Sequence, residues 1–142
     1  MDVLKLLQSK NRCLLNFLNQ SKKFLAAAET GSLSGLQDFQ NYRDATLKTL
    51  DLYDRKITDS ISMLSISEKT APFIRSVKDT QELKEELIRS ILKTDQEIIE
   101  KIKEEKSRLL MELSASNKNN QMVKKFKSTW ISESGEKLDG KL

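Results

Sequence analysis

The sequence predicts an all-α protein: an elongated antiparallel bundle of about three long helices, followed by a short, partly mobile C-terminal segment. Three observations carry this. The 142 residues include one proline and four glycines, too few turn formers for a β-rich chain. Apolar residues recur at steps of three and four over long stretches. Charged residues make up 32% of the chain against 37% hydrophobic, a balance that suits solvated helix faces around a thin core.

The first helix is expected from about Val3 to Glu29. Val3, Leu7, Leu14, Leu18, Phe24 or Leu25, and Ala28 trace one face. Asn11, Asn16 and Asn19 lower its intrinsic propensity, so packing must hold it. Thr30-Gly31 ends it, with Gly31 suited to the left-handed position just past a helix.

Ser34-Gly35-Leu36-Gln37 has capping-box spacing, and Ser32 is a rival cap. The second helix then runs to about Ile66. Its seam is Leu36, Phe39, Leu47, Leu50, Ile57, Ile61 and Leu64, a spacing near 3.5 that suits nearly aligned helices. Arg43 and Asp54 interrupt the seam, either reaching solvent or fixing register.

Residues 65–80 form the main break, holding Pro72 and several Ser and Thr. Phe73, Ile74 and Val77 are expected to fold back onto the bundle. The third helix starts either with Pro72 as its first residue or at Asp79, which with Glu82 repeats the capping-box spacing. From Asp79 to about Ala115 there is no Gly or Pro, and Leu83, Leu87, Ile91, Ile98, Ile102, Leu109 and Leu113 mark one face. Glu85 with Arg89, Glu97 with Lys101 and Glu104 with Arg108 stand at i,i+4. Such a helix is roughly 55 Å long, against a radius of gyration of about 14 Å for a globule of this size; hence the expected rod.

Ser116 to Asn120 weakens the helical signal. A short amphipathic piece with Met122, Val123, Phe126, Trp130 and Ile131 is expected next, then a polar, mobile end. Residues 1–116 thus read as the bundle domain and 117–142 as a basic segment. The segment holds six lysines against three acids, which leaves 19 basic against 18 acidic residues before it.

The composition also bounds chemistry. With no histidine, His-based acid–base catalysis, Ser-His and Cys-His pairs and nearly all zinc sites are absent. No enzyme activity, cofactor or metal is expected. Glu97, Glu100, Glu104 and Glu105 are carboxylates at helical spacing, but a di-iron bundle needs Glu-x-x-His, so they read as a solvated face. Gly31 and Gly35 fit helix ends, not a phosphate loop. The single cysteine, Cys13, permits no internal disulfide and reads as a small buried hydrophobe. No apolar run approaches the ~20 residues that span a bilayer. The start, Met1-Asp2-Val3-Leu4-Lys5, lacks the pattern of a cleaved signal. Cytoplasmic residence without membrane insertion is the expectation.

Ile88, Leu92, Ile99, Leu110 and Met111 lie beside the main seam of the third helix and widen its apolar face. Either they enter a three-helix core, or they line a groove for a partner helix. Phe126 and Trp130 pose the same choice between docking on their own bundle and anchoring a partner.

The stretch Ile91 to Phe126 reads Ile-Leu-Lys-Thr-Asp-Gln-Glu-Ile-Ile-Glu-Lys-Ile-Lys-Glu-Glu-Lys-Ser-Arg-Leu-Leu-Met-Glu-Leu, then Ser, Asn and Lys, then Val-Lys-Lys-Phe. It resembles the last long helix of flagellar export chaperones of the FlgN and FliT type. Ala27-Ala28-Glu29-Thr30-Gly31-Ser32-Leu33 resembles their first helical turn, and Gly135-Glu136-Lys137-Leu138-Asp139 is similar to their tail. Phe126 stands where a Tyr is usual, and Trp130 is a further departure. The resemblance implies a small cytoplasmic chaperone, monomer or weak homodimer. It would hold the C-terminal amphipathic helix of a hook-associated or filament-cap protein and deliver it to the export apparatus, with no small-molecule substrate. Ile99, Ile102, Leu110 and Leu113, with Phe126 beyond, are the expected partner-binding residues. Ile99 to Ile102 and Leu110 to Leu113 are steps of three, and the stem of Lys106 between them covers apolar surface while its charge stays wet. Two other classes fit the same composition: a self-associating coiled-coil scaffold, and a helical nucleic-acid module using the basic tail, for which no stripe of basic and aromatic residues speaks.

Overall fold

In the computed structural model, which describes residues 2–123 with side chains to residue 117, α1 spans Val3–Glu29 and is opened by Asp2. The Asp2 carboxylate accepts the Leu4 N–H at 3.1 Å, satisfying one of the orphan donors of a helix start. The helix closes as the sequence predicts. Gly31 takes φ +86°, its N–H donates to the Ala28 carbonyl, and the Ser32 N–H reaches the Ala27 carbonyl at 3.1 Å. These are the two bonds of a Schellman motif.

α2 runs Leu36–Ser62. The expected Ser34 cap does not form: Gly35 is the N-cap and no side chain caps the helix. The Leu36 N–H bonds to the Leu33 carbonyl, so Ser34 sits inside a tight turn, one residue too early. Its hydroxyl lies 3.1 Å from that of Ser32, and Gln37 donates to Asn41 instead. α2 also stops four residues short of the expected end. A capping box appears downstream, where the Ser65 hydroxyl and N–H both meet Glu68 Oε1 and open a 3-10 turn at Ile66–Glu68.

α3 spans Ala71–Val123. The Thr70 hydroxyl accepts the Phe73 N–H and the Thr70 carbonyl accepts that of Ile74. Pro72 is therefore the second helical residue, not the first, and its missing N–H costs nothing there. Asp79 starts no helix. The polar run at 116–120 does not end α3; Ser and Asn each cost only about 0.5 kcal/mol in a helix interior. No strand occurs among the described residues.

The chain divides into two compact units, Met1–Ile98 and one beginning at Ile99. In the first, two apolar clusters set the helix directions. Val3, Leu6 and Leu7 pack with Ile57 and, around them, Tyr53, Leu64, Phe73 and Val77. Leu14, Phe17 and Leu18 pack with Leu87 and Ile91 and, around them, Phe39 and Leu50. Rising numbers on α1 thus meet falling numbers on α2 and rising numbers on α3: an up-down-up antiparallel bundle. A polar band lies between the clusters. Lys10, on the inward face of α1, pairs with Asp54 at 2.5 Å, and the Asn11 amide donates to the Thr80 carbonyl at 2.9 Å. Phe17 and Phe24 of α1 stack on Phe39 of α2, with ring centroids 5.9 and 4.8 Å apart.

Several seam expectations shift. On α2, Leu47 and Ile61 are exposed, while Thr46 is buried and Tyr53 and Ser60 are half-buried. The inward row is 39, 43, 46, 50, 53, 57 and 60, alternating steps of four and three. Leu47 and Ile61 sit one residue off that row, so their side chains swing about 100° away from it. On α3, Leu83 and Leu109 are exposed and Thr94 is buried, bonding the Ser90 carbonyl. Ile74 is exposed, whereas Phe73 and Val77 do pack on the core.

Candidate functional site

The second unit is described through its α3 portion, residues 99–117. None of these side chains is buried. Ile99 is 45% exposed and Leu110 36%, with Leu109 exposed and Ile102 and Leu113 half-buried. At about 100° per residue, these five and Lys106 fall within a stripe about 100° wide. That is the width an amphipathic helix normally buries against a partner. Met111, 73% exposed, projects about 100° beyond Leu110 and is off the stripe.

The structure therefore brings four expected site residues, Ile99, Ile102, Leu110 and Leu113, onto one face of one helix. The fifth, Phe126, lies outside the described residues, as do Trp130 and Ile131. Leu109 belongs with the four; its spacing of seven from Ile102 placed it on the seam, and the same spacing places it on the stripe. Of the flanking residues in the first unit, Ile88 and Leu92 are also exposed, so the surplus apolar residues of α3 do not enter the three-helix core.

Ion pairs occupy the rest of the helix surface. Lys101 meets Glu104 at 3.2 Å, and Arg108 meets Glu105 at 2.8 Å and Glu112 at 2.5 Å. These replace the expected i,i+4 pairs, because Glu104 turns back to Lys101 and leaves Arg108 to its other neighbours. The hydrogen bond and charge of Glu105, followed by the charge of Glu112, raise the Arg108 pKa above its ordinary value. Arg108 is a fixed cation at any working pH. Pairing these charges with each other leaves the aliphatic stripe as the distinctive chemistry of this segment.

Elsewhere, the first unit carries a groove of about 540 Å³ between α1 and α3, with Leu15 and Leu83 exposed on its walls and Arg12 and Asp79 at its rim. Cys13 is half-buried, not fully buried as expected, and burial pushes its thiol pKa up, which disfavours the nucleophilic thiolate. Among the described residues no group of three or more His, Cys, Asp or Glu converges to hold a metal. No helix among them is long and apolar enough to cross a membrane. No family model matches the chain, and no curated protein or solved structure matches it.

Proposed function

We propose that this chain is a helix-holding chaperone: it takes an amphipathic helix of a partner protein along the α3 stripe and keeps that helix from assembling prematurely. The single observation that carries the reading is the unburied aliphatic row Ile99, Ile102, Leu109, Leu110 and Leu113 on a helix whose other faces are charged. Helix-in-groove recognition needs anchors at i, i+3, i+4 and i+7 and an apolar receiving face, and no catalytic group. The resemblance to flagellar export chaperones of the FlgN and FliT type supplies the finer reading. The client is then the C-terminal helix of a hook-associated or filament-cap protein, the compartment the cytoplasm, and the onward partner the export apparatus.

The test uses the full chain and a synthetic amphipathic helical peptide from such a client. Ile99→Ala and Leu110→Ala are each measured for peptide affinity and for melting temperature. A central anchor cut to Ala typically costs on the order of 2 kcal/mol of binding. The expected result is affinity lost about thirtyfold or more with melting unchanged, since neither residue is buried. Melting lowered with affinity intact would make these residues structural and remove the assignment.

A further inference from the structure

We propose that the stripe is self-complementary at four of its five aliphatic positions, Leu109 being the exception, so that a second copy of this chain, running antiparallel, covers it when no client helix is bound. This rests on reading the stripe as a helix-docking face, and it adds what regulates access to that face. The observation is a palindrome. Centred on Lys106, Ile102 and Leu110 stand four residues to either side, and Ile99 and Leu113 seven residues to either side. All four aliphatic side chains lack full burial. A two-fold axis through Lys106 therefore lays Ile99 on the partner's Leu113 and Ile102 on the partner's Leu110, twice each. This is the isologous arrangement in which one patch binds itself.

The ion pairs of Arg108 with Glu105 and Glu112 are made within the chain and lie off the stripe. Lys106 meets its own copy at the centre. Its stem lies along the apolar contact and its ammonium leaves sideways to water, while the like charge at the axis keeps the pairing weak. The size of the contact agrees: a handful of side chains per copy against roughly 20–30 residues a side in a stable interface. A weak, symmetric cap is one that a client with more anchors displaces.

The register is read by one introduced cysteine at a time in the full chain under mild oxidation, with Cys13 kept and cross-linked peptides identified by mass. Lys106→Cys links to itself, since the axis brings the two copies of residue 106 together. Ile99→Cys alone does not, because two copies of residue 99 lie roughly 21 Å apart along antiparallel helices. Ile99→Cys mixed with Leu113→Cys does link. The unaltered chain sediments as a reversible monomer–dimer mixture, and Leu110→Asp weakens the dimer at least about tenfold. A chain that stays monomeric at its highest soluble concentration overturns the proposal, as does Ile99→Cys linking to itself as readily as Lys106→Cys. The amphipathic client peptide separates the two readings. Peptide binding to a chain that never pairs sinks self-pairing and leaves the docking face standing. Pairing in the stated register that the peptide does not disturb upholds self-pairing and removes the client.

Discussion

Arg43 on α2 donates through Nη1 to both carboxylate oxygens of Asp95 on α3, at 2.9 and 3.0 Å, and its guanidinium lies 5.5 Å from the centre of the Phe17 ring on α1. One side chain thus touches all three helices, through a charge-assisted bond to one and the face of an aromatic ring on another. The Asp95 side chain is 15% exposed and that of Arg43 40%, so water screens the pair in part. Asp95→Ala is expected to cost about 1–2 kcal/mol of unfolding free energy. Arg43→Ala is expected to cost more, because it also gives up the stacking on Phe17. Urea unfolding of both single variants and the double variant gives the coupling directly. A coupling of zero would reduce the contact to a surface coincidence.

Gly31 and Gly35 stand four residues apart in the same connection and make opposite demands. Gly31 holds φ +86°, where a Cβ is strained, while Gly35 holds φ −87° as the N-cap of α2. Neither has any atom within 4 Å of where a Cβ would stand, so backbone conformation alone separates them. Gly31→Ala should destabilise by about 1 kcal/mol, and Gly35→Ala by a few tenths or less. Equal losses in thermal melts would contradict the left-handed cap.

The helix count, the bounds of α1 and its glycine stop were legible in the sequence because periodicity and one φ-permissive residue determine them. The interior of the bundle was less so. Lys10, Asn11, Thr46 and Thr94 occupy inward positions, and a reading that tracks apolar residues passes over them in favour of Leu47, Ile61 and Leu83. What places polar side chains inside is a partner from another helix or the preceding turn: Asp54 for Lys10, the Thr80 carbonyl for Asn11, the Ser90 carbonyl for Thr94. Such partners lie up to 69 residues away, beyond any local window. Arg43 gave half the signal, as a charge set into an apolar seam. Of the aliphatic stripe on α3, the helical spacing was legible and the exposure was not, since the same spacing serves a core and a groove equally.

Cys13 offers a pH-dependent readout. Burial raises its thiol pKa, so the folded chain holds the thiol proton more tightly than the unfolded chain does. The sign follows: this contribution to stability is complete below the unfolded thiol pKa and falls away as pH rises through the folded value. Alkylation by iodoacetamide near the ordinary thiol pKa should be slower on the folded chain than on the same chain in urea. The difference should close at higher pH as thiolate forms in both. Equal rates throughout would mean that Cys13 is neither shielded nor shifted.

Leu6 and Ile99 provide the sharpest contrast between core and face. Leu6 is 1% exposed among Val3, Leu7 and Ile57, so Leu6→Ala removes transfer energy and leaves a cavity in a packed cluster. The expected loss is about 2–5 kcal/mol. For a domain of this size that lowers the melting temperature by roughly 6 °C or more. Ile99 sits on the exposed stripe, and truncating it removes area already in contact with water; its melting temperature should move by no more than about 2 °C. The two variants exchange one aliphatic side chain for the same methyl, so helix propensity contributes nearly equally to both. Differential scanning calorimetry at one low protein concentration, where self-pairing is negligible, keeps association out of the comparison. An Ile99→Ala loss as large as that of Leu6→Ala would place Ile99 in a packed core and take the aliphatic stripe away from any partner.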